Sequence, residues 1–182
     1  METIALFGGS FDPPHLAHEQ IVRLALHLNG VEKVIVMPTY LNPFKSHSHA
    51  PSELRLKWLK SIFSLDKNVE VSNFEVALKR KVPTIETVKF LLKTYKKIYL
   101  IIGADNLKSL KQWQNYEELQ SLVTFVVASR DQIEIPKNFM QLTLQEDISS
   151  TQLRNKIDRA KLNSLCSEEI IKFYKEINEQ QN

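Results

Sequence analysis

TIALFGGSFDPPHLAH, residues 3–18, is the stretch that sets the expected fold. Its first five residues form a short β-branched and aliphatic run, which predicts a strand. Gly8 and Gly9 follow at once, where a sharp backbone turn favours residues without a side chain. Apolar residues then recur with helical spacing over 19–28. The stretch predicts a strand, a glycine turn and a helix, the opening unit of an α/β sheet.

The same alternation of apolar runs and helical segments continues along the chain. Further strands are predicted over 33–37, 69–71, 98–102, 124–128 and 141–144, and helices over 53–63, 85–94, a stretch after Asp105, 151–161 and 168–178. Ser167 is the expected N-cap of the last helix. Most of these runs are continuously apolar, whereas a strand with one solvent-exposed face would alternate apolar and polar residues. The predicted fold class is therefore α/β, an open parallel sheet with helices on both faces.

Length and composition limit the class of protein. A chain of 182 residues fits one domain, and neither a repeat nor a Pro/Gly-rich linker divides residues 1–182. Hydrophobic residues make up 43% and charged residues 25%, as in soluble globular proteins. Because no apolar run reaches about 18 residues, no membrane role is expected. The single cysteine, Cys166, excludes an internal disulfide and favours a reducing compartment, so the expected location is cytoplasmic.

The charge pattern is moderate. The formal net charge is +3, and the basic residues are dispersed along the chain, so no nucleic-acid partner is expected. A cleft with local positive charge would still attract anionic substrates such as nucleotides.

The segment from Gly8 to His18 has the composition of an anion site. Unpaired N–H groups and the positive end of the helix dipole meet where a glycine turn enters a helix. His15 and His18 can place two imidazoles on one side of that helix as donors to phosphoryl oxygens. The segment lacks the P-loop pattern G-x-x-x-x-G-K-[ST]. A His-x-x-His metal site would need further ligands, so no protein metal site is predicted.

A second segment of this kind follows the last predicted strand. Residues 147–154 read Asp-Ile-Ser-Ser-Thr-Gln-Leu-Arg and open a helix. Ser150 or Thr151 can cap that helix or turn a hydroxyl toward a phosphate, and Arg154 carries a planar fork suited to phosphate oxygens. An ordinary capped helix with a surface arginine is the alternative interpretation.

Both segments resemble signatures of the nucleotidyltransferase superfamily. The first is similar to Gly-x-Phe-x-Pro-x-His-x-Gly-His, with Ala17 in place of the usual glycine, and the second matches Ile-Ser-Ser-Thr-x-x-Arg in the expected order. The resemblance implies a Rossmann-like fold and a catalytic set of His15, His18 and Arg154. The ATP-binding residues that it implies are Gly8, Gly9, Ser10, Phe11, His15, His18, Gly103, Asp105, Ser150, Thr151 and Arg154.

Three intervening segments resemble the bacterial nicotinate-nucleotide adenylyltransferases in particular. Residues 37–45 match that family's Pro-x-x-x-x-Pro-His-Lys loop, except that Phe44 replaces the histidine. Residues 83–87 match part of its Ser-Tyr-Thr-x-x-Thr turn, although Val82 and Pro83 differ. Residues 103–107, with Trp113, match its Gly-Ala-Asp-x-Leu…Trp element.

The family resemblance implies roles for four acceptor-binding residues. Lys45 and Arg130 are expected to contact phosphate, Thr84 to help hold the nicotinate carboxylate, and Trp113 to stack on the pyridine ring. Asp105, at a strand end, can accept from ribose hydroxyls. The alternatives are a solvated loop for Lys45, helix capping for Thr84 and a core aromatic for Trp113.

The implied reaction is adenylyl transfer from ATP, accompanied by Mg²⁺, to nicotinate mononucleotide. Its products are nicotinic acid adenine dinucleotide, an intermediate of NAD biosynthesis, and pyrophosphate. Phosphopantetheine adenylyltransferase is the nearest alternative, but a histidine, not a threonine, stands at position 15. Two further alternatives are a cytidylyltransferase and a non-catalytic nucleotide-binding protein of the same fold. The sequence leaves open the oligomeric state and the preference for nicotinate over nicotinamide mononucleotide.

Overall fold

The computed structural model describes residues 2–129, 134–145 and 148–180. Its strands are β1 (Thr3–Gly9), β2 (Val31–Pro38), β3 (Val69–Val71), β4 (Lys97–Gly103), β5 (Thr124–Ser129) and β6 (Met140–Thr143). They pair in parallel in the order β3-β2-β1-β4-β5-β6. The predicted open parallel sheet is confirmed. Each strand begins and ends within about two residues of its predicted bounds.

Of the helices in the residues described, five lie between strands and two follow β6. They are α1 (Leu16–Ala25), α2 (Ser52–Ile62), α3 (Phe74–Ala77), α4 (Thr84–Leu91), α5 (Tyr116–Leu122), α6 (Ser150–Asn155) and α7 (Ser167–Gln180). Short 3₁₀ turns occupy Ala104–Asn106, Leu110–Gln112 and Arg159–Lys161. The sequence did not predict α3, which is too short to produce a helical apolar period. Among the helices of the described ranges, none combines the length and apolar character that a membrane span requires.

The predicted end of one helix and the predicted start of another, both in the last third of the chain, are wrong. The helix expected over 151–161 ends at Asn155. The Asp158 side chain then accepts from the Ala160 N–H and starts a separate 3₁₀ turn, which competes with continuation of the helix. Ser167 is not an N-cap but the first residue of α7, because the Cys166 carbonyl already accepts from the N–H of Ile170.

Alternate residues of β1 enter two separate apolar clusters. Ala5 and Phe7 pack on the side that carries α1, α2 and α7, whereas Ile4 and Leu6 pack on the side that carries α4 and α5. Both faces of the sheet are therefore buried. This burial explains why the strand sequences are apolar without alternation.

The order of the strands opens a crevice at the carboxyl end of β1. The chain passes from β1 outward to β2 and β3, and then returns to β4 on the other side of β1. The connections after β1 and β4 therefore leave in opposite directions, and open sheets bind ligands at such a point. Gly9 and Gly103 are the last residues of these two strands.

Candidate active site

A cavity of about 860 Å³ lies in this crevice. That volume is within the range of small-molecule and cofactor sites, about 300–1,000 Å³. Most of the predicted site residues border it: Gly8, Gly9, Ser10, Phe11, His18, Lys45, Thr84, Gly103, Asp105, Trp113, Ser150, Thr151 and Arg154. His15 does not border the cavity but is buried next to His18, on which its ring stacks. Arg130 lies outside the described residues.

Gly9 and Phe11 determine the shape of the turn after β1. Phe11 has a positive φ of 50°, in the left-handed region that residues with a side chain rarely adopt. Its buried ring packs edge-on against Phe7 and His18, with centroid distances of 5.3 and 4.9 Å. A Cβ atom at Gly9 would lie 3.1 Å from the same ring. Packing of Phe11 therefore holds the turn and favours glycine at position 9.

His15 and His18 form the start of α1. His15 is the N-cap residue, and its main-chain N–H donates to Nδ1 of His18 across 3.2 Å. The two rings stack with centroids 3.7 Å apart. Because Nδ1 of His18 accepts a hydrogen bond, the neutral ring carries its proton on Nε2. His18 borders the cavity, whereas His15 is 1% exposed and packs behind it.

Asp12 anchors the first motif to distant parts of the chain. Its buried carboxylate accepts from the N–H groups of His49 (2.8 Å) and Ala50 (2.9 Å), and from the Tyr174 hydroxyl. Burial acts to raise the pKa of Asp12, but these hydrogen bonds, with Tyr174 foremost, bring that pKa below its ordinary value. This role of Asp12 could not be predicted from the sequence, because Tyr174 is too distant in the chain to be paired with it.

Two hydrogen bonds join the second motif to the first. The Ser150 hydroxyl donates to the Pro13 carbonyl across 2.9 Å, and Nη1 of Arg154 donates to the Asp12 carbonyl across 2.6 Å. Nη2 of Arg154 also donates to Oγ1 of Thr151 across 3.1 Å. The starts of α1 and α6 therefore meet at one cavity.

Ser149 caps α6, so the predicted cap at Ser150 or Thr151 is wrong. Its Oγ accepts from the Gln152 N–H across 3.1 Å, and Oε1 of Gln152 accepts from the Ser149 N–H across 3.3 Å. This reciprocal capping box satisfies two main-chain donors at the helix start. The next two hydroxyls are therefore available for the tertiary contacts with Pro13 and Arg154.

Arg55 holds together the loops that border the cavity, and this role could not be predicted from the sequence. The side chain extends from α2 and is fully buried. Its guanidinium donates to four main-chain carbonyls: those of Ser10 (2.5 Å), Thr39 (2.7 Å), Tyr40 (2.9 Å) and Ala50 (3.1 Å). Arg55 thus fixes the loops after β1 and β2 to each other. The helical pattern of 53–63 predicted the helix but gave no sign that a charged residue in it is buried.

The loop after β2 carries Lys45 toward the first glycine turn. Nζ of Lys45 donates to Oγ of Ser10 across 3.3 Å, and Oδ1 of Asn42 fixes the loop by accepting from the Phe44 N–H across 2.9 Å. Partial desolvation of the ammonium group, followed by the charge of Arg154, lowers the pKa of Lys45. Phe44, in place of the family's histidine, borders the cavity with 59% of its surface exposed.

Gly103 allows Asp105 to turn back toward the end of β4. A Cβ atom at position 103 would lie 2.4 Å from Oδ1 of Asp105, a distance that real contacts do not show. Nδ2 of Asn106 donates to the Gly103 carbonyl across 3.3 Å and completes the turn. The absence of a side chain at Gly103 therefore sets the position of the Asp105 carboxylate at the cavity.

The cavity wall formed by α4 and Trp113 lies on the face of the sheet opposite α6. Thr84 is the first residue of α4, and Pro83 takes the N-cap position, so the capping alternative for Thr84 is wrong. Trp113 packs against the apolar cluster and also borders the cavity. Its enclosed Nε1 finds no hydrogen-bond partner within residues 2–129, 134–145 and 148–180. Trp113 is thus both a core residue and part of the wall.

Glu75 is a third residue of the site, after Asp12 and Arg55, whose place there could not be predicted from the sequence. It extends from α3 into the wall beside Thr84 and is 5% exposed. Its Oε1 accepts from the Thr87 hydroxyl across 2.6 Å. Burial raises the pKa of Glu75 to about 7. Glu75 is therefore a titratable group at neutral pH inside a ligand cavity.

Two helix starts and a basic loop around one crevice of a parallel sheet define a nucleotide-binding α/β protein. The family model of cytidylyltransferase-like proteins matches residues 6–156. Curated relatives named probable nicotinate-nucleotide adenylyltransferase, from Sulfurimonas denitrificans and Campylobacter fetus, are 60% and 49% identical to the chain. The alignments cover 97% and 96% of this chain, and 97% and 98% of the relatives. The chain belongs to the nicotinate-nucleotide adenylyltransferase family.

Solved structures share the fold at lower identity. The Plasmodium falciparum nicotinic acid mononucleotide adenylyltransferase complexed with NaAD superposes with a TM-score of 0.79 at 22% identity, over 96% of this chain and 98% of that one. The same enzyme complexed with APC gives a TM-score of 0.70 at 21% identity, over 98% and 96%. These likenesses confirm the predicted Rossmann-like nucleotidyltransferase fold.

Proposed function

We propose that the chain transfers the adenylyl group of ATP to nicotinate mononucleotide, yielding nicotinic acid adenine dinucleotide and pyrophosphate for NAD biosynthesis. The observation that carries this proposal is the junction of the two motifs. Ser150 and Arg154 bind the main-chain carbonyls of Pro13 and Asp12, and so hold two helix starts against one cavity. Such an arrangement stabilises the charge of a triphosphate. The names of the curated relatives indicate the acceptor.

The reaction is an in-line displacement at the α-phosphorus of ATP. An oxygen of the acceptor's 5′-phosphate forms the new bond, while the bond from the α-phosphorus to the bridging oxygen breaks and pyrophosphate leaves with that electron pair. The acceptor phosphate, with a second pKa of about 6, is mostly dianionic at neutral pH. No strong general base is needed, so catalysis depends on positioning and charge neutralisation.

We assign the phosphate contacts to side chains at the two helix starts. His18, whose Nδ1 is occupied by the His15 N–H, can donate from Nε2 to an α-phosphate oxygen. Arg154 and Ser150 are assigned to the departing pyrophosphate. His15 stacks on His18 and holds its ring, and a direct phosphate contact from His15 stays a prediction. Asp105 is assigned to ribose hydroxyls.

The acceptor is assigned to the wall that contains α4. Trp113 offers an aromatic face for the pyridine ring, and Thr84 lies at the start of α4, where a helix dipole favours a carboxylate. Lys45 is assigned to phosphate because its ammonium group lies beside the glycine turn. The corresponding role of Arg130 stays a prediction.

We propose that Mg²⁺ arrives as part of the ATP complex. Within the described ranges, no group of three or more His, Cys, Asp or Glu side chains is arranged to hold a metal ion. The phosphate oxygens of ATP are hard ligands of the kind that Mg²⁺ prefers. Magnesium is therefore written as part of the substrate.

Three broader expectations remain proposals. A single domain over residues 1–182 is supported by the pairing of β1 to β6 in one sheet. A reducing, cytoplasmic location is supported by the lone Cys166, whose thiol is buried with its pKa raised to about 12. Small anionic substrates, not nucleic acid, are the expected partners.

Pyrophosphate release from ATP tests the proposed function. Nicotinate mononucleotide, nicotinamide mononucleotide and phosphopantetheine are offered side by side as acceptors, and CTP replaces ATP in a parallel series. We expect the fastest release with ATP and nicotinate mononucleotide. Faster release with phosphopantetheine or with CTP would favour one of the rival enzymes. If a folded chain that binds ATP released no pyrophosphate with any of the acceptors, a non-catalytic nucleotide-binding protein would be favoured.

A further inference from the structure

Glu75 is a buried acid in the acceptor side of the cavity to which no role has been assigned. It extends from α3 and borders the cavity together with Thr84 and Trp113. Only 5% of its surface is exposed. A carboxyl group at this depth loses most of its hydration, so it ionises only where other groups compensate for that loss.

The hydrogen bonds of Glu75 provide incomplete compensation. Oε1 accepts from the Thr87 hydroxyl across 2.6 Å, but Oε2 is enclosed and has no partner within the described part of the chain. A carboxylate with one neutral donor and one unpaired oxygen is poorly stabilised. An uncharged acid lowers this cost, because it removes the charge from the enclosed site.

The charged groups around Glu75 do not neutralise it. Glu86, on the neighbouring α4, is a like charge and raises the pKa of Glu75 further. The residue of β2 that borders the cavity is the apolar Met37. Arg55, the buried cation of α2, is committed to four main-chain carbonyls. Across the cavity, Lys45 donates to Ser10 at the other motif.

The position of Glu75 relative to α4 connects it to the acceptor. Thr87, its hydrogen-bond partner, lies three residues after Thr84, so the two threonines are neighbours on one face of the helix. Thr84 is the residue assigned to the ring carboxylate of the acceptor. An ionised Glu75 would therefore place a second negative charge about one helical turn from the substrate's own.

We propose that Glu75 determines the specificity for the acceptor: its acid form admits a pyridine ring that bears a carboxylate, and its ionised form favours the neutral carboxamide. The inference rests on the proposed function and deepens it. Two like charges about one helical turn apart at a partly buried site change affinity on the order of 10- to 100-fold. The neutral amide does not experience this repulsion. Glu75 is thus a switchable element of acceptor choice.

The experiment measures kcat/KM for nicotinate and nicotinamide mononucleotides from about pH 6 to about pH 8.5, with ATP saturating. The ratio of the two values isolates the ring substituent, because the titration of the shared 5′-phosphate cancels in it. Since kcat/KM reports groups of the free enzyme, the transition is expected near the pKa of Glu75, about 7. We expect the acid-to-amide ratio to fall about tenfold or more across this range. If the protein does not turn over nicotinamide mononucleotide, the inhibition constant of that compound replaces its kcat/KM in the ratio.

Three variants make the assignment specific. Glu75→Gln is neutral at every pH, so its acid-to-amide ratio should stay constant near the low-pH value of the parent. Thr87→Val removes the donor that stabilises the ionised form, so the transition should move to higher pH. Glu117→Gln, which neutralises an exposed carboxylate on α5, should leave the parental profile unchanged.

The outcomes separate this inference from the proposed function. A lack of pyrophosphate release with either mononucleotide contradicts the proposed function itself. Active protein whose ratio does not change with pH, or whose profile is the same in the parent and in Glu75→Gln, contradicts the role of Glu75. If Glu75→Gln does not fold, the parental profile and the Thr87→Val shift decide the question.

Discussion

The Arg154 guanidinium donates from Nη1 to the main-chain carbonyl of Asp12 across 2.6 Å, although 142 residues of chain separate them. The same fork donates from Nη2 to Thr151 across 3.1 Å. Arg154 therefore has two functions in one side chain, because it joins the motifs and presents positive charge to the cavity. A lysine, with a single ammonium group on a flexible stem, does not have this fork geometry.

Arg154→Lys is expected to lower kcat/KM on the order of 10²-fold, although the positive charge is kept, because the bidentate positioning is lost. Initial rates of pyrophosphate release measure the effect. Arg159→Lys is the matched control, since Arg159 pairs with Glu168 on the surface and should retain full activity. An Arg154→Lys protein as active as its parent would mean that charge alone is needed.

His18→Ala is expected to lower kcat on the order of 10²–10³-fold, because the cavity loses a donor aimed at the developing charge. His18→Asn can keep an acceptor for the His15 N–H but removes the Nε2 donor, so it should be equally slow and more stable than His18→Ala. Single-turnover rates and thermal unfolding give the two readouts. His27 is exposed just after the end of α1, so the control variant His27→Ala should have the turnover rate of the parent. Parental turnover by His18→Ala would remove His18 from the mechanism.

Trp113→Ala is expected to raise the KM for the acceptor about tenfold and to leave the KM for ATP nearly unchanged, because stacking of a ring contributes about 0.5–1.5 kcal/mol. Trp113→Phe keeps an aromatic face but lacks the Nε1 donor. It should recover most of the acceptor affinity if stacking dominates. Steady-state kinetics with each substrate varied in turn provide the comparison. Equal losses for both substrates would contradict a stacking role.

Gly103→Ala is expected to raise the KM for ATP about tenfold with little loss of stability, because the new Cβ displaces a flexible carboxylate and not the backbone. Asp105→Ala should have a similar effect. In the double variant the two losses should not add, since both act through the position of one carboxylate. Additive losses would indicate that Gly103 acts on the backbone instead.

Arg55→Met is expected to destabilise the chain by about 3 kcal/mol or more, because four main-chain carbonyls lose the charged donor that they share. Urea unfolding measures this loss. Lys57→Met, at an exposed position of the same helix, is the control and should change stability by less than about 1 kcal/mol. A small effect at Arg55 would show that water can replace its contacts.

Local sequence was sufficient for the parts of the fold that depend on apolar burial. Strands such as β4 are buried on both faces, so their sequences are apolar throughout and predict a parallel sheet. The glycine turns after β1 and β4 could be predicted because their residue types limit the backbone. The two motifs that follow β1 and β6 lie at one rim of the sheet, because the carboxyl ends of parallel strands share the same edge.

Tertiary contacts determined what the sequence could not reveal. Three consecutive residues, 149–151, carry hydroxyls, so each could have capped α6. Ser149 is the N-cap because Gln152 completes a capping box with it. The Ser150 bond to Pro13 spans 137 residues and leaves no local signal. Arg55 is a charged residue of an ordinary helical segment, and Glu75 lies in a helix too short to be predicted. Their burial follows from loops that are distant in sequence and converge on them.

The contact between Tyr174 and Asp12 has a consequence for how the site is assembled. The matched family region ends at residue 156, yet Tyr174 lies in α7, beyond that limit. During synthesis, the Asp12 carboxylate lacks this donor until α7 has left the ribosome, although β1 emerges first. The nucleotide cavity thus becomes complete late in translation, and a chain shortened to the matched region would keep both phosphate motifs without the hydroxyl that secures them.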